Sequence, residues 1–122
     1  MRSDRFTIKA QEALREAQEL AESFQHSELR PLHLLLALTR QEEGIVSPTL
    51  QRLGASPDAV AAAADKKLAQ APKVTGPSEV RLSGALNDVL KQAEKTLKEF
   101  GEFLFSFAHL YLYNLASLCL RV

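Results

Sequence analysis

Residues 7–24, TIKAQEALREAQELAESF, and residues 83–100, SGALNDVLKQAEKTLKEF, are two versions of one pattern. Each opens on a hydroxyl residue able to cap a helix, and each then places apolar side chains at spacings of three and four. At an offset of about 76 residues, every apolar member of the first stripe meets an apolar partner in the second. Phe6, Ala10, Ala13, Leu14, Ala17, Ala21 and Phe24 pair with Leu82, Leu86, Val89, Leu90, Ala93, Leu97 and Phe100. Beyond this helix His33 falls opposite His109, Leu34 opposite Leu110 and Leu36 opposite Leu112. A period this long marks a duplicated helical unit, not a catalytic motif.

Outward from the first helix, Arg30-Pro31 predicts a second one, because proline at the first helical position loses no intrahelical hydrogen bond. The run LHLLLALT at residues 32–39 is apolar nearly all round, so this helix is expected to be central. Gly44 ends it. Ser47-Pro48 and Ser56-Pro57 then predict short helices near residues 48–53 and 57–70, each capped by its serine. The second of these is alanine-rich, with only Val60, Ala63, Ala64 and Leu68 as a stripe, and is expected at the edge. Pro72, Gly76 and Pro77 interrupt the periodicity, so residues 72–81 read as an exposed linker. The organisation expected is repeat one over residues 1–71, that linker, and an incomplete repeat two over residues 82–122. In repeat two Ser83 takes the capping role, and Gly101 stands where repeat one has Gln25.

The chain has 122 residues, enough for one domain, with 15 Lys and Arg against 15 Asp and Glu. A formal net charge of zero argues against a nucleic-acid partner held through its phosphates. The single Cys119 cannot form an internal disulfide, and the charged start MRSDRFT is no signal peptide, so the cytoplasm is the expected compartment. Residues 103–120 are mostly Phe, Leu, Tyr and Ala. They have the length of a membrane span, but His109 and Asn114 lie inside and Tyr111 and Tyr113 sit mid-segment. A divergent copy of residues 31–38 followed by a tail is the preferred reading.

Catalysis finds little support. Gly44, Gly54, Gly76, Gly84 and Gly101 build no phosphate-binding loop, and no nucleophile elbow occurs. A hydrolase using His33 or His109 would need a nucleophile and an orienting carboxylate at motif spacing, and neither is visible. His26, His33 and His109 are scattered along the chain, which speaks against a metal site.

Four stretches carry a family resemblance: DRFTIK at residues 4–9 leading into QEAL at 11–14, PLHLLLAL at 31–38, QEEG at 41–44 with Val46-Ser47-Pro48, and Leu53-Gly54. In this order they resemble the N-terminal domain of the Clp chaperone ATPases, of the ClpB disaggregase type. The resemblance implies an all-α pseudo-two-fold repeat of a four-helix unit that docks unfolded or aggregated client proteins. It implies as partners the rest of a hexameric Clp ATPase and a DnaK-type chaperone system. It implies no cofactor in this chain, ATP belonging to ATPase modules. It matches client-binding positions to Thr7 and to Glu102, where aspartate is usual, while a further acidic position falls on Ala108. Docking of unfolded chains asks for an exposed apolar groove flanked by a few polar groups. Leu90 and Leu110 are candidates for such a groove, with ordinary core packing the preferred reading from their places in the helical stripes. A stand-alone Clp-like adaptor, or a truncated and functionally impaired chaperone fragment, is the alternative.

Overall fold

The computed structural model describes residues 6–76 and 79–100. Glu102, Ala108, His109, Leu110, Cys119 and the apolar segment 103–120 lie outside the described residues. Among the described residues five helices run in the order α1 (Ile8–Ser23), α2 (Pro31–Arg40), α3 (Val46–Arg52), α4 (Pro57–Gln70) and α5 (Gly84–Phe100). Two short strands, β1 (Glu28–Leu29) before α2 and β2 (Arg81–Leu82) before α5, pair in parallel. The molecule is mostly helical, as the sequence pattern required.

The two related helices start alike. The Thr7 hydroxyl accepts a hydrogen bond from Ala10 N at 3.2 Å, and the Ser83 hydroxyl accepts one from Leu86 N at 3.1 Å. They also bury the same face: Ala10, Ala13 and Ala17 of α1 correspond to Leu86, Val89 and Ala93 of α5, and all six are buried. Thr7→Ala is expected to leave one first-turn amide without its partner and to lower stability by about 1 kcal/mol, read as the shift of a urea unfolding curve. Thr7→Ser, which keeps the acceptor, should change it little.

Packing follows from side-chain size. The buried face of α1 consists of Ala10, Ala13, Ala17 and Ala21. Such small side chains let α2 approach closely, and its leucines fill the space between the helices. Helix α2 packs against α1, α3, α4 and α5. It serves two hydrophobic clusters. Leu34, Leu35, Ala37 and Leu38 join the α1 and α5 faces, while Leu36 meets Ala64 and Leu68 of α4. A helix apolar on all sides needs neighbours on all sides, which is why α2 is central.

Helix α1 ends in a Schellman motif, with His26 N donating to Ala21 O and Gln25 N to Glu22 O. This puts Gln25 in the left-handed region at φ 59°, at the position where the second copy carries Gly101. Helix α3 ends the same way, with Gly54 at φ 82° and with Ala55 N donating to Leu50 O.

Three features differ from the sequence reading. Helix α3 begins at Val46 with Ile45 as its N-cap, so Ser47 is not a cap. The Ser47 hydroxyl instead donates to Thr39 O at 3.3 Å, satisfying a carbonyl in the last turn of α2. Pro48 is tolerated because it remains inside the first turn of α3. The last residue of the expected linker, Arg81, belongs to β2, and Arg81 N donates to Ser27 O at 2.9 Å. Strands of two residues carry no hydrophobic alternation, so local sequence cannot announce them. Helix α4 is only partly an edge helix: it is exposed along Ala59, Ala62 and Ala63 but buries Ala64 and Leu68 against α2.

Candidate functional site

An apolar groove of about 480 Å³ opens between α2, α3 and α4. Leu35 and Leu50, each 4% exposed, are its buried leucines. Leu32 of α2 and Ala59, Val60, Ala63 and Ala64 of α4 make its walls, with Ala55 and Ser56 between α3 and α4. Leu53 stands on the rim at 70% exposure, and Lys67 is the one charged side chain in the lining.

The origin of the groove is a mismatch in side-chain size. Leucines project from α2 and α3, whereas the facing side of α4 is largely alanine and cannot fill the gap. Leu53 is held outward by the Schellman turn that follows it at Gly54. An exposed leucine beside a concave apolar surface offers burial to a partner, at about 25 cal/mol for each Å² removed from water.

A pair of histidines closes the region where α2 begins and α4 ends. His26 is 4% exposed and His33 is wholly buried, and His26 Nδ1 lies 2.8 Å from His33 Nε2. Arg30 N donates to His33 Nδ1 at 2.9 Å. An amide nitrogen can only donate, so His33 Nδ1 is unprotonated and its Nε2–H donates to His26 Nδ1. The remaining proton of the neutral pair is then on His26 Nε2, a buried atom without a hydrogen-bond partner. The His26 ring stacks on Phe24, with centroids 5.5 Å apart and planes 8° from parallel.

Burial pushes His33 down to about 4, helped by the neighbouring His26 ring and the Arg30 guanidinium. Burial also lowers His26, with Arg30 and Lys73 adding to the effect. The Leu68 carbonyl opposes it, lying near enough to favour the charged ring without completing a hydrogen bond. Scattered in sequence, these two histidines are neighbours in space. The turn after α1 brings them together across seven residues, a contact that no spacing rule for helices or metal ligands anticipates. Both His33 nitrogens are occupied, by His26 and by the Arg30 amide, which leaves neither to serve as a catalytic base. Among the described residues no three His, Cys, Asp or Glu side chains cluster as metal ligands would.

The residues expected to bind clients fall in different settings. Thr7 is exposed and acts as the α1 cap. Leu90 is 2% exposed and packs in the main core with Leu86, Val89 and Ala93. Neither lines the α2–α3–α4 groove. The groove itself escaped the sequence reading, although the alanine-rich α4 beside leucine-rich helices was a visible signal.

The sequence profile described as the Clp repeat (R) N-terminal domain matches residues 5–116. The chain belongs to the Clp repeat N-terminal domain family. This Clp repeat domain is 38% identical over 111 residues to the chaperone protein ClpB of Nitratidesulfovibrio vulgaris. It is 36% identical over 112 residues to the ClpB of Bacteroides thetaiotaomicron. These alignments cover 88% and 92% of the chain but only 13% of each relative, so the chain spans about an eighth of their length. The Hsp104 N-terminal domain of Candida albicans superposes with a TM-score of 0.76 at 24% identity, covering 92% of this chain and 75% of that one. That likeness concerns the fold. No helix among the described residues of the Clp repeat domain is long and apolar enough to cross a membrane.

Proposed function

We propose that this Clp repeat domain docks apolar segments of unfolded or aggregated polypeptides, as a cytoplasmic, noncatalytic module of a ClpB-type chaperone. The observation that carries this reading is the α2–α3–α4 groove, apolar along its walls and edged by Leu53, Ser56 and Lys67. An unfolded chain differs from a folded one mainly in exposing apolar side chains and unpaired backbone groups. A shallow apolar surface with sparse polar edges suits that chemistry without selecting a sequence. By family resemblance Thr7, Glu102 and Leu110 contribute to docking as well, whereas Leu90, 2% exposed, serves the core. ATP turnover belongs to the ATPase modules of the assembled hexamer, which hands clients on in cooperation with a DnaK-type system.

The test is fluorescence anisotropy with labelled, reduced and carboxymethylated lactalbumin as the unfolded probe. Leu53→Asp should weaken binding by about tenfold or more, the effect of losing about 1.4 kcal/mol. Because Leu53 is 70% exposed, the circular dichroism and unfolding midpoint of this variant should stay nearly unchanged. Thr7→Ser and Glu102→Gln, which preserve shape, separate the contribution of these two residues. Wild-type affinity in Leu53→Asp would reject the groove, and no saturable binding by the wild-type domain would reject docking altogether.

A further inference from the structure

We infer that the His26–His33 pair is an acid-opened latch, which ties the turn after α1 to the start of α2 at neutral pH and releases it on protonation, loosening the end of α4 and with it the groove. The role of the groove rests on the docking function proposed above; the latch itself rests on hydrogen-bond geometry.

The chain of donors has no room for another proton. Arg30 N–H donates to His33 Nδ1, and His33 Nε2–H donates to His26 Nδ1. A proton added to His33 Nδ1 would face the Arg30 N–H, donor against donor. A proton added to His26 Nδ1 would face the His33 Nε2–H at 2.8 Å, again donor against donor. Transferring the His33 proton to its other nitrogen only moves the conflict to Arg30. Every protonated form therefore breaks a buried hydrogen bond and leaves a charge in an apolar setting.

The charged neighbours offer no relief, although the Leu68 carbonyl favours the charged His26 ring. From the β1–α2 junction the facing charge is Arg30, and from the segment after α4 it is Lys73, both cationic. From the end of α1 the neighbour is the Phe24 ring, and from α4 it is the Leu68 carbonyl. The same turn holds the end of α4 in place, because Val74 N donates to Gln25 O at 2.8 Å, one residue before His26. Moving His26 outward toward water therefore pulls on the segment that follows α4. Leu68, the last buried residue of α4, packs on Leu36 beside it. Ala64 and Lys67, the neighbours of Leu68 on that helix, line the groove.

The experiment follows imidazole ¹⁵N signals and amide hydrogen exchange in the free domain from about pH 7 to about pH 3.5, through the value near which His33 titrates, where protection at the end of α4 should fall about tenfold as the rings take up protons, while the middle of α1 stays protected. The double variant H26N/H33Q rebuilds the donor chain from amides: the introduced glutamine accepts from Arg30 N–H and donates to the introduced asparagine. Its α4 protection should not respond over this range. Ring protonation without loss of α4 protection in the wild type would overturn the latch, and so would an unchanged acid response in the double variant. Should that variant fail to fold, the wild-type comparison decides alone. Labelled carboxymethylated lactalbumin, added in parallel, reads the groove. If α4 opens with acid but the probe is indifferent to pH and to Leu53→Asp, the latch stands and the docking reading of the groove fails.

Discussion

Leu36→Ala is expected to lower the free energy of unfolding by about 2–5 kcal/mol, the usual range for truncating a leucine that the structure cannot collapse around. Leu36 is wholly buried and forms the smaller core cluster with Ala64 and Leu68. Its other neighbours, Leu20, Phe24, Leu32 and Ala61, come from three helices and the turn after α1. None of these can move into the space without leaving a contact elsewhere. For a domain of this size a loss in the upper half of that range approaches a large share of total stability. Urea unfolding followed by circular dichroism measures it. An effect below about 1 kcal/mol would mean that α4 is not anchored through Leu36.

Acidification should be comparably destabilising. His33 is held at about 4 in the folded domain against 6.5 for the free side chain. Between those values the unfolded chain binds a proton that the folded domain refuses, so stability rises with pH across that window. The stability is fully present above about pH 6.5, falls as pH drops, and stops falling from this source below about pH 4. The displacement corresponds to about 3 kcal/mol for His33, and the lowered His26 adds in the same direction. Urea midpoints measured at half-unit pH steps would show the slope, and His33→Gln should flatten it. A wild-type midpoint that stays level from pH 7 to pH 4 would contradict the buried neutral pair.

Much of the architecture was legible because it is written in local periodicities. The stripe from Phe6 to Phe24 and its copy from Leu82 to Phe100 announced two equivalent helices. Thr7 and Ser83 announced their starts, and both hydroxyls do accept the expected amides. The apolar run after Pro31 announced the central helix. Where a side chain had two places to bond, local reading failed. Ser47 could cap α3 or satisfy α2, and the proximity of Thr39 O decided for the second. The β1–β2 pairing joins residues far apart in sequence and only two long, so it exists by virtue of the repeat's tertiary arrangement.

The candidate site divides along the same line. Its ingredients, a leucine-rich α2, a leucine at the end of α3 and an alanine-rich α4, are properties of the sequence alone, as are the capping residues and the duplicated pattern. That these helices meet so that small side chains oppose large ones, leaving about 480 Å³ open, was decided by packing. So was the meeting of His26 with His33. The Schellman turn aims His26 back toward α2, and burial of both rings sets their proton affinity. Periodicity determines which face of a helix is apolar, because side chains project at fixed angles along it. Which faces meet, and what is left uncovered between them, depends on distances across the fold that no local pattern encodes.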